Sequence, residues 1–223
     1  MDEKNISKED LLLEIDKKTN EMLNMGTKLV AISSNMEPFD IMFISIVNRT
    51  VNINSAFSSL IRNNNFIAAA PLIRINLDSV LRMYASKLTE FDRNTFTRKV
   101  MDGEHVRKMK SEDTKKPLTD FYLVDEISKV DGMSWVKKIY DTGSSFVHFS
   151  DSLIFSSRTF SSDEERTIYY TIAINDAFVE EHEKIGAVVW MNKIIDAIIN
   201  QCQIWMYEKC IKYNFDFKKL NEM

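Results

Sequence analysis

The sequence predicts a mainly α fold, an antiparallel bundle of five to seven helices with one β-hairpin inserted before a long C-terminal helix. The 223 residues include only 5 Gly and 3 Pro, too few for a fold rich in tight turns. Apolar residues recur with a helical period along most of the chain. Residues 152–174 instead alternate with a period of two, which is typical of paired strands. Because no linker or internal repeat interrupts the pattern, we expect a single domain over residues 1–223.

The N-terminal third is expected to form two helices joined to a third by a tight turn. Ser7 leads a capping-box sequence that begins a helix over residues 8–33. Pro38 suits the first turn of a second helix, over residues 39–62. Three asparagines at 63–65 favour a sharp reversal, because asparagine caps helices and tolerates a left-handed backbone.

The next helix, predicted over residues 66–87, has a wide apolar face and should lie deep in the bundle. Arg74, Asp78 and Arg82 recur at every fourth residue along the border of that face. The spacing allows Arg74 and Asp78 to pair along the helix, although arginine before aspartate is the weaker order. Charges beside a core need partners. Two interpretations stay open, an intrahelical or interhelical structural salt bridge or a polar pocket in which Arg74 holds an anion.

The second half alternates helices with polar connections. The predicted elements are a short helix over residues 91–101, an exposed charged loop or frayed helix over 104–116, helices over 118–130 and 133–149, the hairpin over 152–174 and a last helix to about Tyr213. Asn175 or Asp176 is expected to cap this last helix.

Three polar side chains share one face of the helix predicted over residues 133–149. Tyr140, Ser144 and His148 are spaced by four residues, so they stack in a row. We expect this row to meet Arg74 and Asp78 in one network, because buried polar groups need partners. The network is either structural or a site in which Arg74 holds a phosphate. In such a site His148 would act as general acid or base, with Asp78, Tyr140 and Ser144 binding the ligand.

The order of these residues resembles an uncharacterised bacterial all-helical family. Its members carry an early arginine, matched here by Arg49, and an arginine followed four residues later by an acid, matched by Arg74 and Asp78. A Tyr–Ser–His segment follows, matched by the row from Tyr140 to His148. The family more often has Glu at the position of Asp78. Because it has no established activity, the resemblance implies a fold and a set of residues.

The bundle is also similar to the HEPN domains of bacterial defence and toxin systems. Many of these are metal-independent ribonucleases with an arginine, four to six residues, and then a histidine. Arg98 and His105 have this spacing, with Asp102 and Gly103 between them, whereas His148 has no arginine at the required distance before it. The resemblance implies RNA cleavage and a role in defence or stress.

Composition excludes several classes of protein. The formal charge of -4 predicts no strong, non-specific binding to DNA. Cys202 and Cys210 stand eight residues apart on one predicted helix, roughly 12 Å along its axis, which is too far for a disulfide. The two Cys and three His follow no metal-binding spacing, so we expect neither metal nor cofactor. The charged residues 1–10 lack an apolar signal core, and no apolar run is long enough for a bilayer, so we expect a cytoplasmic protein.

Two hypotheses of different class follow. The first is a cytoplasmic helical module that binds a protein partner, a second copy of itself or a small anion. The second is a HEPN-like, metal-independent ribonuclease or phosphate-handling enzyme that uses His148 with Arg74. An open cleft that holds both side chains favours the enzyme, whereas a closed network with every donor paired favours the module.

Overall fold

The computed structural model describes residues 7–148, 154, 158–160, 168–170, 172–176 and 178–221, and these residues are mainly helical, as predicted. Their helices, in chain order, are α1 (Lys8–Leu23), α2 (Met25–Ile32), α3 (Pro38–Arg62), α4 (Phe66–Leu88), α5 (Arg93–Met101), α6 (Asp120–Ser128), α7 (Trp135–Val147) and α8 (Glu181–Lys212). Short 3₁₀ turns cover Val106–Lys108 and Phe217–Asn221.

The helix predicted over residues 8–33 is two helices. Ser7 forms the expected capping box at the start of α1. The chain then tightens at Asn24, whose backbone N–H donates to the carbonyl of Glu21 at 3.2 Å, an i to i−3 bond that closes a last turn. The helix resumes at Met25, so the prediction of one continuous helix was wrong at this position.

Helix α4 is the centre of the bundle and packs against α3, α6, α7 and α8. Its inner side chains, among them Ile73, Leu77, Val80 and Leu81, are buried. Such a helix has little room for unpaired charge, so every charged group on its border must be accounted for.

The N-terminus of α4 is capped from a distance. Asn65 accepts a hydrogen bond from the backbone N–H of Ala68 at 3.2 Å, as its position in the turn suggests. The carboxylate of Asp176 accepts one from Phe66 N–H at 2.7 Å. The prediction that Asn175 or Asp176 caps the last helix was therefore wrong. Helix α8 begins instead with a capping box formed by Glu180 and Glu183.

Two short strands precede α8. Strands β1 (Arg158–Phe160) and β2 (Ile168–Tyr170) pair in antiparallel register, with Thr159 opposite Tyr169. The connecting residues 161–167 lie outside the described part of the chain, so the hairpin over 152–174 stays a prediction.

The segment between α5 and α6 is exposed but anchored. Most of its side chains reach solvent, as predicted, yet Met109, Ser111 and Leu118 are buried. Backbone bonds tie it to the end of α4, with Glu112 N–H donating to the carbonyl of Leu88 at 2.9 Å. The predicted exposed loop is thus held in place against the bundle.

Nowhere in the described ranges is a helix both long enough and apolar enough to cross a membrane.

Candidate functional site

Five charged side chains on α3, α4 and α6 form one chain of ion pairs, the arginine–aspartate network. Asp78 accepts from Arg49 at 3.3 Å and from Arg82 at 2.7 Å. Asp120, the first residue of α6, accepts from Arg82 at 2.7 Å and from Arg74 at 3.1 Å. Arg74 does not pair with Asp78, as its spacing allowed, but with Asp120 on α6, an interhelical salt bridge.

Arg74 lies between α4 and α7. Its guanidinium carbon stands 4.2 Å from the centre of the Tyr140 ring, a cation–π contact. Its side chain passes so close to Gly143 that a Cβ added there would stand 3.0 Å from Cβ of Arg74. The glycine therefore lets the arginine pass between the helices. Only 15% of its side chain is exposed, and both its charge and its face are engaged.

The Tyr–Ser–His row does not act as a unit. Tyr140 faces Arg74, whereas the hydroxyl of Ser144 donates to the carbonyl of Tyr140 at 2.7 Å, a bond within α7. His148 caps the C-terminus of α7, with its backbone N–H donating to Ser144 at 3.1 Å and its imidazole exposed. The structure brings Arg74 and Tyr140 together, and no hydrogen bond or ion pair between described residues joins Arg74 to His148.

The network carries one surplus positive charge, because three arginines share two aspartates. Burial by itself would lower the pKa of Arg82, but the carboxylates of Asp78 and Asp120 outweigh it and raise that pKa. Arg82 therefore stays charged at neutral pH.

An open cleft of about 880 Å³ adjoins the middle of the network, at Arg82 and Asp120. Arg82 and Asp120 form one wall, and the turn after α5 forms the other. Gly103 makes this turn possible, because its φ of 88° lies in the left-handed region that other residues avoid. We call it the basic cleft; its lining residues are Arg82, Val100, Gly103, Glu104, His105, Val106, Arg107, Thr119 and Asp120.

The charged side chains of the basic cleft differ in whether an ion pair already engages them. Arg82 is held by two carboxylates, and Glu104 is paired with Lys99 at 2.9 Å. Among the described residues no ion pair engages Arg107 or His105, and both side chains are exposed. The lining itself holds two arginines and two acidic residues, whereas residues 107–116 hold five basic and two acidic side chains, so the loop that borders the cleft is positive although the whole chain is negative. An anion entering the cleft would meet free donors.

Two residues of the basic cleft, His105 and Arg82, were noted in the sequence, but for reasons unrelated to a shared site. His105 was noted for its spacing from Arg98, and Arg82 for its place beside Asp78. Arg98 lies on the exposed side of α5 and does not line the cleft, whereas Arg82 and Arg107 do. No sequence signal linked Asp120 or Arg107 to this site, because their place in it depends on how the turn after α5 packs against α4.

Over the described ranges, no group of three or more His, Cys, Asp or Glu side chains could hold a metal ion.

No family model, curated protein or solved structure matches the chain. The resemblances to the bacterial helical family and to HEPN domains therefore stay expectations.

Proposed function

We propose that the protein is a helical binding module and that its basic cleft takes a phosphate-bearing ligand. The observation that carries this proposal is the pair of uncommitted donors, Arg107 and His105, which line an open cleft together with Arg82 of the arginine–aspartate network. Guanidinium and imidazole groups are the side chains that bind phosphate through directed hydrogen bonds. The network supports this role because two carboxylates fix the position of Arg82, while the network as a whole keeps one surplus positive charge.

Arg74 and His148, the site residues predicted from the sequence, are weaker candidates for ligand binding than the basic cleft. Arg74 is engaged by Asp120 and Tyr140, so a ligand would have to break an ion pair to reach it. His148 is exposed, and no hydrogen bond or ion pair between described residues joins it to Arg74. Because the charge and the face of Arg74 are already engaged, a binding module in which these contacts are structural is favoured over an enzyme that uses His148 with Arg74.

Binding is tested with a short fluorescein-labelled single-stranded RNA, by fluorescence anisotropy, with inorganic phosphate as competitor. Arg107→Ala should weaken RNA binding about tenfold, the loss of one charge-assisted hydrogen bond. It should also lower the slope of log K against log salt by about 0.7, the value for one phosphate contact on a single strand. Lys193→Ala, which removes an exposed cation on α8, is the matched control and should leave binding unchanged. Equal effects of the two substitutions would refute the cleft as the binding site.

A ribonuclease is the second candidate, and the presence of His105 in the same cleft as Arg82 and Arg107 is the observation that favours it. An imidazole beside a fixed guanidinium is the arrangement that metal-independent phosphodiester cleavage needs, with one group moving a proton and the other stabilising charge. Incubation of the RNA with wild type, His105→Ala and His148→Ala separates the possibilities. Cleavage lost only in His105→Ala assigns an enzyme to the basic cleft, and cleavage lost only in His148→Ala assigns it elsewhere. RNA that is bound and left intact by the wild type identifies a binding module.

A further inference from the structure

A second cavity, of about 240 Å³, lies between the N-terminal half of α4, the C-terminal half of α7 and the first turns of α8. It is separate from the basic cleft and shares no lining residue with it. We call it the apolar cavity. The inference drawn from it does not depend on the proposed phosphate site.

The apolar cavity exists because small residues face one another where three helices meet. Ala70 on α4, Gly143 on α7, and Gly186 with Ala187 on α8 line it. At Gly186 a Cβ would meet no atom within 4 Å, so this wall recedes from its neighbours. At Gly143 the same atom would meet Arg74, so that glycine serves helix packing rather than the cavity. Gly186 is thus a position in the cavity wall at which a side chain could be added without a clash.

Aromatic rings make up much of the remaining wall. Phe66 and Phe146 meet edge to face, with ring centres 5.4 Å apart and planes at 85°, and Trp190 lines the cavity as well. An edge-to-face pair presents both a ring face and a ring edge, the two surfaces on which a further aromatic ring packs well.

The polar side chains that line the cavity are Thr142, His182 and Glu183. His182 and Glu183 are exposed and lie in the first turn of α8. Glu183 is already committed, because its carboxylate accepts the backbone N–H of Glu180 at 3.2 Å. The acidic first turn, with Glu180, Glu181 and Glu183, opposes an anionic ligand. The apolar walls oppose a charged ligand of either sign, because burying an unpaired charge is costly.

We propose that the apolar cavity binds a small uncharged aromatic molecule of one or two rings that carries at most one N–H or O–H group. The volume sets the size, since an apolar cavity of about 150 Å³ accepts benzene. The rings of Phe66, Phe146 and Trp190 set the aromatic character, and the exposed imidazole of His182 is the partner for the single polar group.

The test is isothermal titration calorimetry of the full chain with indole, and with indole-3-carboxylate as the charged counterpart. Wild type should bind indole saturably and the carboxylate at least tenfold more weakly. Gly186→Leu fills the cavity and should weaken indole binding at least tenfold. Gly26→Leu is the matched control, a helical glycine whose added Cβ also meets nothing within 4 Å, and it should change indole affinity less than twofold.

Gly186→Ala keeps the test decisive if the leucine variant does not fold, because it adds only the Cβ that the structure accommodates. It should weaken indole binding by a smaller factor than leucine. Absence of saturable indole binding by the wild type, or equal losses in the Gly186 and Gly26 variants, overturns the proposal. A wild-type dimer that Gly186→Leu converts to a monomer, seen by sedimentation, would assign the cavity to a side chain of a second copy and would also overturn it.

Discussion

Replacing Asp40 by asparagine should cost the fold a large part of its stability, because Asp40 is the anion of a fully buried ion pair. Its carboxylate accepts from Nζ of Lys209 at 2.6 Å and from Nε1 of Trp205 at 2.8 Å, and both charged side chains are 0% exposed. The same carboxylate accepts the backbone N–H of Glu37 at 2.8 Å in the first turn of α3. Asp40 therefore joins α3 to α8 and caps α3 at once.

The size of the loss in stability depends on which partners the Lys209 ammonium retains. In Asp40→Asn its ammonium retains the carbonyl of Asn35 at 3.3 Å and stands 5.8 Å from the ring of Tyr213. Neither group carries a negative charge. Removing one partner of a buried pair costs about 3–5 kcal/mol. For a chain of this length each kcal/mol moves the unfolding temperature by about 2–4 °C, so the midpoint should fall by roughly 10 °C.

Urea unfolding followed by far-UV circular dichroism measures this loss, with the m-value checking that the transition stays cooperative. The double variant Asp40→Asn/Lys209→Met should recover most of the stability, because no unpaired charge is left inside. Lys129→Met is the matched control, since Lys129 makes its ion pairs with Asp125 and Glu126 at the surface, and it should leave the midpoint unchanged. The reasoning fails if Asp40→Asn behaves like the control, or if the losses in the double variant simply add.

Two further predictions concern helix packing and acid stability. Gly143→Ala should destabilise the fold by about 1 kcal/mol, because the added Cβ would stand 3.0 Å from Cβ of Arg74. Gly186→Ala should stabilise the fold by about the same amount, because alanine has the higher helix propensity and its Cβ meets no atom within 4 Å. The urea midpoints of the two variants should therefore move in opposite directions. Burial would raise the pKa of Glu37, but hydrogen bonds, the strongest from Lys212, outweigh it and lower that pKa below 4.5. The stability that this interaction adds is present above pH 4.5 and is lost as the pH falls through the folded-state pKa of Glu37. Between neutral pH and pH 3, the urea midpoint should therefore fall less in Glu37→Gln than in wild type. Equal slopes of urea midpoint against pH in the two proteins would contradict this prediction.

The helices were predicted well where their signals are local. The central helix was expected over residues 66–87 and is observed as Phe66–Leu88. The Ser7 capping box is present at α1. These features depend on side chains within one or two turns of each other, so a single sequence contains what decides them. The break at Asn24 was missed, because the apolar period continues across it.

The ion-pair partners of Arg74 and Asp78 could not be predicted from helical spacing alone. Arg74 and Asp78 have helical spacing, but arginine before aspartate is the weaker order, and Asp78 pairs with Arg82 in the favoured order instead. Arg74 takes Asp120, which lies 46 residues further along the chain. No periodicity relates those two positions.

The sequence by itself determined that this chain forms helices, where most of them begin and end, and which side chains lie on the border of each apolar face. Tertiary structure alone decided which borders meet. A charged group pairs with whichever opposite charge packing brings within about 3 Å, and that depends on how α6 and the turn after α5 settle against α4. For the same reason Arg82 on α4 shares one cleft with His105 and Arg107 in the turn after α5.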